Sequence, residues 1–364
     1  MRVALDATPL LGAVTGVGRY VDGLVRGLAA LPDPTELRLV AFTARGAREL
    51  PHLPGTTVAG RRAPARLLQA AWSRSSFPPV EWLAGRVDVM HGTNFVLPPR
   101  RRAAGVLTIH DLAYLLEADT VAGASLRYQQ LVPRALQQGA IVVTPSRATA
   151  DEVAEHYRLP ADNILVTPLG VDQGWAFAAA PDAAWLAARG LPPRYLLAVG
   201  SLEPRKDLPT LVAAHARLAL ARPTTPPLVL VGPPGWGAPL EVGPEVVLTG
   251  YLATADLQRV VRGAELLAFP SRREGFGLPP LEALACGTPV VASDIPATRE
   301  VLGDAALLVP PGGVDAWADA LATALDAGRG TDEEQQRRRH HAARFTWRGC
   351  AEVTLEAYRR ALAT

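Results

Sequence analysis

The chain has 364 residues, of which 49 % are hydrophobic, with 33 prolines, 32 glycines and a formal charge of +2. That length suits about two domains of roughly 150 residues each, and the small net charge does not by itself call for nucleic acid or membrane. No apolar run is long enough to span a bilayer. The two cysteines, Cys286 and Cys350, fit reduced structural thiols better than a disulfide framework or a metal site. Of 37 basic residues, 36 (37 minus one) are arginine and only Lys206 is lysine. Arginine would serve at most surface positions, so the single lysine is informative.

The N-terminus goes straight into a strand pattern, Arg2 to Leu5, and the chain reads as cytoplasmic. Residues 1–170 alternate short apolar runs with helical patterns, as a doubly wound parallel sheet does. Val3-Ala-Leu-Asp6 is the first strand. The loop after it carries Gly12, Gly16 and Gly18, and a helix from about Val17 to Leu31 follows. A glycine-rich first strand-to-helix turn is where such folds take phosphates. The spacing is not the dinucleotide fingerprint, and a tight turn without a ligand explains the glycines equally well.

From Arg61 to Arg102 the composition shifts. Eight arginines (61, 62, 66, 74, 86, 100, 101 and 102) face only Glu81 and Asp88, with Leu67, Leu68, Trp72, Phe77 and Trp82 between them. A solvated helix with two Pro-rich loops accounts for this. So does a surface that meets an anionic acceptor or membrane. Val106-Leu-Thr-Ile-His110-Asp111 is a strand ending in adjacent titratable residues, at the end that faces the ligand crevice of a parallel sheet. Ile141–Thr144 and Ile164–Thr167 are further strands. Pro168 to Asp172 then leads into an Ala/Pro-rich linker, residues 173–193.

Residues 194–345 repeat the alternating plan. Tyr195–Val199 is a strand, and the turn Gly200-Ser-Leu-Glu-Pro-Arg-Lys-Asp207 opens a helix. Arg205 offers a planar fork and Lys206 a compact charge, a pair that suits a diphosphate. Both stand on a loop, so loss of Lys206 is expected hardly to affect folding. Leu228–Val231 and Val246–Thr249 are strands, the second ending in Gly250-Tyr251-Leu252. Leu266 to Phe269 follows, then a polar loop and a helix opened by Pro279 and Pro280. Gly287 and Pro289 close that helix, and Val290 starts the next strand. The amides of Phe276, Gly277 and Leu278 lie at the helix N-terminus, where an anion is favoured. Glu274 precedes that point, and Glu282 is expected in the first turn. Two carboxylates around an anion site make sense if they accept hydrogen bonds from hydroxyls on the same ligand. Ala306 to Val309 is a last strand. A helix from Val314, a charged helix from Asp332 to Arg344 and an amphipathic tail from Phe345 to Ala363 complete the chain.

Glu274-Gly-Phe-Gly-Leu-Pro-Pro-Leu-Glu282, with Ala-Cys-Gly-Thr-Pro-Val-Val after it, resembles the Glu-x7-Glu signature of retaining glycosyltransferases of family 4, the bacterial mannosyltransferase-like ones among them. The likeness extends along nearly the whole chain. It implies a GT-B fold, α/β, with two Rossmann-like doubly wound parallel-sheet domains facing a central cleft. The first, residues 1–172, would be the acceptor domain, with a crossover helix at 346–364. The second, residues 173–345, would hold the nucleotide-sugar donor.

The resemblance also implies roles. Gly16, through its amide, would close over the donor diphosphate, which Arg205 and Lys206 bind directly. Tyr251 and Leu252 would pack the nucleobase. Gly275, Phe276, Gly277 and Leu278 would hold the phosphates, Glu282 the ribose, and Glu274 and His110 the sugar hydroxyls, with Asp111 supporting His110. The expected activity is transfer of a hexose, from GDP-mannose first, to a glycan or lipid-linked sugar. A UDP-glucose or deoxysugar donor would look much the same. No acidic metal-binding pair of the Asp-x-Asp type occurs near the site, so no metal and no cofactor is expected, and the donor is a substrate. The expected partners are the donor, the acceptor and, through the arginine-rich stretch, the inner face of an anionic membrane, with no nucleic acid. Other readings are a sugar-nucleotide epimerase, a non-catalytic subunit, which the intact site set argues against, and a nicotinamide enzyme, which the lack of a Gly-x-Gly-x-x-Gly turn argues against.

Overall fold

The computed structural model describes residues 1–12, 15–32, 35–44, 49–59 and 63–364. The chain forms two compact units. One comprises Met1–Ala118, Ala122–Gly170 and Thr346–Thr364; the other comprises Asp119–Val121 and Val171–Phe345.

Among the described residues the first unit holds a seven-stranded sheet. Its strands are β1 (Arg2–Asp6), β2 (Glu36–Val40), β3 (Thr56–Ala59), β4 (Val89–Gly92), β5 (Ala104–Thr108), β6 (Ile141–Thr144) and β7 (Ile164–Val166). The order is β3-β2-β1-β4-β5-β6-β7, with every pairing parallel. β1, β4, β5 and β6 are buried almost throughout, which is why they read as continuous apolar runs. β2 and β3 are not legible as strands in the sequence. Glu36 and Arg38 interrupt β2, and the short edge strand β3 is half-exposed, with no apolar run to mark it. The order reverses between β1 and β4, which makes that position the switch point of the sheet.

The helix Gly16–Ala29 buries Tyr20, Val21, Leu24, Val25 and Leu28. Its glycines admit the last helix, Trp347–Ala363. A Cβ at Gly23 would lie 2.2 Å from the Trp347 indole, and one at Gly27 would lie 2.5 Å from the Trp347 carbonyl. The last helix starts two residues later than its amphipathic pattern suggests, because Thr346 caps it through the Gly349 amide at 3.0 Å.

The second unit carries a six-stranded parallel sheet among the described residues. The strands are β8 (Leu196–Val199), β9 (Leu228–Val231), β10 (Val246–Gly250), β11 (Leu266–Phe269), β12 (Val290–Ser293) and β13 (Leu307–Val309). Their order is β10-β9-β8-β11-β12-β13, so the switch point falls between β8 and β11. The core gathers around Trp317, with Leu211, Leu218 and Leu321 from the helices Leu208–Ala221 and Val314–Ala327. The charged helix is Asp332–Ala343, opened by a Thr331–Glu334 capping box. Cys286 and Cys350 are free and buried, and burial pushes each thiol up to about 12.

Candidate active site

The turn after β8 and the loop after β11 meet at the switch point of the second sheet. Pro204–Lys206 forms a short 3-10 turn that ends at Asp207, held at φ 48°. An aspartate tolerates that region better than most residues. Asp207 Oδ1 accepts from the Thr210 hydroxyl at 2.9 Å and from Arg272 at 3.1 Å, and the Arg272 amide donates to the Arg205 carbonyl at 2.9 Å. The two loops are thus fastened together before any ligand is considered.

Between them lies a compact charge cluster. Lys206 Nζ stands 2.5 Å from Glu274 Oε1, and Arg205 stands 3.2 Å from Glu274 Oε2. Arg205 also reaches Glu203 at 3.2 Å, and Glu203 accepts from the Ser201 hydroxyl at 2.8 Å. Burial works to raise the Glu274 carboxyl, but the Lys206 and Arg205 charges outweigh it and bring the group down to about 2. The Lys206 ammonium also lies 5.0 Å from the Phe269 ring centroid. A cleft beside it is lined by Gly200, Ser201, Lys206, Phe269, Pro270 and Ser271. Arg205, Lys206 and Glu274, which the sequence singles out separately, are therefore one group. Glu203, Asp207 and Arg272 join them without having been singled out; the charges on the two loops are visible in the sequence, but their pairing is not.

The helix Leu278–Ala285 begins after Gly277, whose φ of 99° suits glycine. Among the described residues, the amides of Phe276, Gly277 and Leu278 donate to no other group. That is the open donor set of a helix start. Glu282 is not in the first turn as expected. With Gly277 at the N-cap it is the fifth helical residue, almost wholly buried, with an interaction of its own. The difference arises because the prolines lie one residue inside the helix rather than at its first position. Gly275 lies in the loop, and Tyr251 and Leu252 follow the edge strand β10, with Tyr251 exposed.

In the first unit, His110 follows β5, and its Nε2 lies 3.0 Å from the Thr93 carbonyl. A carbonyl only accepts, so Nε2 carries the proton, and Nδ1 of the neutral ring is an acceptor. Burial lowers the His110 pKa, against the Thr93 carbonyl and Asp111, which raise it. Behind it runs a buried chain. Tyr358 lies 2.8 Å from His91 Nδ1, Thr108 lies 2.8 Å from His91 Nε2, and Tyr20 lies 2.8 Å from Thr108. Burial, then the cost of charging two neighbouring imidazoles (His91 and His110) together, lowers the His91 pKa to about 3, so this ring too is neutral. The Tyr20 ring meets His110 edge-on at 5.1 Å. Gly16 opens its helix in the exposed turn, where a Cβ would meet nothing within 4 Å.

Of the arginine-rich stretch, Arg61 and Arg62 lie outside the described residues. Arg66, Arg74, Arg86, Arg101 and Arg102 are exposed, as are Leu67, Phe77 and Trp82, and the last two rings meet edge-on at 4.8 Å. Glu81, counted as an opposing charge, accepts from the Arg101, Arg102 and Ala103 amides. Arg100 donates to the Gln138 carbonyl at 2.7 Å and does not join the exposed set. No helix among the described residues is long and apolar enough to cross a membrane.

Comparison with known proteins bears on the family and the fold. Residues 14–174 match the family described as Glycosyltransferase Family 4, and residues 193–327 the one described as Glycosyl transferases group 1. The O-antigen chain mannosyltransferase B of Escherichia coli is 28 % identical over 99 % of this chain and 100 % of its own. The D-inositol 3-phosphate glycosyltransferase of Thermobispora bispora is 30 % identical over 97 % of this chain and 92 % of its own. The solved sucrose-phosphate synthase of Thermosynechococcus elongatus superposes with a TM-score of 0.74 at 22 % identity, covering 100 % of this chain and 99 % of that one. Two parallel Rossmann-like sheets, a cation–carboxylate cluster at the second switch point and end-to-end relatives lead to one conclusion: the chain is a glycosyltransferase enzyme of family 4 with the GT-B fold.

Proposed function

We propose that the chain transfers a hexose, mannose from GDP-mannose, to a glycan or lipid-linked sugar, with retention of configuration and without a metal. The observation that carries this reading is the placement of Arg205, Lys206 and Glu274 together beside the open amides of Phe276, Gly277 and Leu278. When a nucleotide sugar reacts, negative charge grows on the departing diphosphate. Preorganised cations and amides stabilise that charge more than they stabilise the bound donor. Arg205 supplies a planar fork and Lys206 a point charge. Glu274 holds both cations in place until the diphosphate replaces it, and its oxygens then accept from the sugar hydroxyls. His110, with Nδ1 as acceptor, reads a further hydroxyl. Mannose is favoured because the mannosyltransferase relative aligns from end to end. A thermal-shift panel of GDP-mannose, UDP-glucose and a dTDP-sugar tests the donor. The true donor at about 100 times its Kd adds about 2.7 kcal/mol, and an equal or larger shift with another nucleotide sugar overturns the GDP-mannose reading. Product analysis without acceptor separates transfer from epimerisation.

The exposed arginines around Leu67, Phe77 and Trp82 support contact with an anionic membrane surface, where a lipid-linked acceptor would reside. Arginines meet the headgroups while the aromatic pair enters the interface.

A further inference from the structure

Assigning the donor to the second sheet leaves the switch point of the first sheet without a ligand. Asp6 ends β1 at that point. Its side chain is buried, and its Oδ1 accepts the Thr8 amide at 2.9 Å. Among the described residues no basic side chain pairs with it. Thr93, just beyond β4, donates to the Asp6 carbonyl at 2.5 Å, and its own carbonyl holds His110. Asp111 comes next, with Oδ1 on the Ala113 amide at 3.0 Å. Two carboxylates thus stand at the carboxyl ends of β1 and β5, tied together through Thr93 and His110.

Beside them is a wall of rings. Phe95 is held at φ 59°, a conformation that a bulky residue keeps only where its surroundings impose it, and such residues gather at functional sites. Gly92 permits the tight loop, since a Cβ there would fall 2.1 Å from the Val96 carbonyl. The Phe95 ring stacks on Tyr128 at 4.8 Å with the planes 21° apart, and meets His110 and Tyr114 edge-on at 5.6 and 5.4 Å. Tyr128 is half-buried, and burial first, then the charges of Asp6 and Asp111, raises the pKa of its hydroxyl.

We propose that Asp6, Asp111 and Tyr128 form the acceptor subsite and that it takes a neutral sugar. This rests on the reading of the chain as a hexosyltransferase. Ionised carboxylates only accept hydrogen bonds, and sugar hydroxyls are the donors that suit them. The same two charges repel a phosphate monoester. An aromatic face packs against the C–H side of the sugar ring. A phosphorylated polyol, the acceptor named for the inositol-phosphate relative, is therefore the class this subsite refuses.

The test uses the full chain with GDP-mannose and a panel of neutral glycosides, methyl α-mannoside and methyl α-glucoside among them, each beside its 6-phosphate. D-Inositol 3-phosphate completes the panel. Neutral members are expected to be turned over in preference to phosphorylated ones. Asp6→Asn keeps the Oδ1 cap on Thr8 and loses the charge. It is expected to raise the acceptor KM at least tenfold while the Kd of GDP-mannose, from calorimetry, stays within twofold. Tyr128→Ala is expected to do the same with intact folding by circular dichroism. Turnover of phosphorylated members alone, turnover of no neutral member, or an unchanged acceptor KM in both variants overturns the proposal. Failure of GDP-mannose to bind the unaltered chain overturns the donor reading instead, and the panel is then run with the donor that thermal shift selects.

Discussion

Lys206 and Glu274 are closed on each other at 2.5 Å, with side chains only 11 % and 10 % exposed. The position of Lys206 on a loop suggests that its loss would leave folding untouched, and the pairing corrects this. Lys206→Ala is expected to cost about 1.5–3 kcal/mol of stability, the worth of a charge-assisted hydrogen bond. It costs less than the ~3–5 kcal/mol of a fully broken buried pair, because Arg205 still reaches Glu274. Catalysis is expected to fall about 10- to 150-fold in kcat/KM for the same contact. Lys206→Arg is expected to retain stability and lose activity, because a larger planar fork shifts the phosphates, and about 1 Å of misplacement costs about 100-fold. Melting temperature and kcat/KM for both variants are the measurements. Unaltered kinetics in Lys206→Ala would falsify the phosphate assignment of this turn.

Glu274 sets a sign for acid stability. Its carboxyl is depressed to about 2 in the folded chain, from an ordinary 4.5. The stability it contributes is fully present above pH 4.5 and is lost as pH falls from there towards 2. At full extent it is about 3 kcal/mol. Denaturant titrations between pH 3 and 7 are expected to show this slope in the unaltered chain and a flatter one in Glu274→Gln. Equal slopes would show that the pair contributes nothing.

Metal dependence follows from cations of the protein serving the diphosphate. Turnover is expected to persist in excess EDTA. Complete loss, restored by Mg²⁺ or Mn²⁺, would mean that Arg205 and Lys206 do not do this work.

Asp6 offers the opposite sign. Burial raises its carboxyl from 3.8 to about 6, partly offset by Thr8. A group raised in this way is held ionised at neutral pH at the expense of the fold, and its unfavourable contribution grows as pH rises from about 4 to 6. Asp6→Asn is therefore expected to raise the melting temperature at pH 7, with a gain of about 3 kcal/mol at most. A purely structural aspartate would lower it. A stabilising change that weakens acceptor use is the pattern expected of a functional residue.

The exposed surface around Trp82 makes the last prediction. The protein is expected to co-sediment with vesicles rich in phosphatidylglycerol and not with phosphatidylcholine vesicles. Binding should weaken as salt shortens the screening length, about 8 Å at 0.15 M. Phe77→Ala with Trp82→Ala should weaken it further. Equal binding to both vesicle types would leave the stretch as a solvated face.

Strands buried on both faces are plain in the sequence, because Val3–Leu5, Ile141–Val143 and Leu228–Val231 are unbroken apolar runs. β2 and β3 are not, because a polar, half-exposed strand has no periodicity to distinguish it from a loop. Arg205, Lys206 and Glu274 are individually legible from charge beside glycine. Their mutual pairing is not, since 68 residues separate Lys206 from Glu274 and only the adjacency of β8 and β11 joins them. Asp6 and Phe95 carry no motif. Burial without a cation and a positive φ are properties of the folded backbone alone.

The fit of Trp347 into Gly23 and Gly27 has a consequence for the order in which the chain acquires structure. The second unit is nearly one contiguous segment, Val171–Phe345, whereas the first also needs Thr346–Thr364, which follow it in the sequence. On the ribosome, Gly23 is made early but meets its partner more than 300 residues later, so the first unit closes by a contact of very high sequence separation. The later-made unit can then be complete first, reversing the usual N-to-C order of domain folding. Until Trp347 and Ala351 have been made, the glycine face of the first helix lacks its partner.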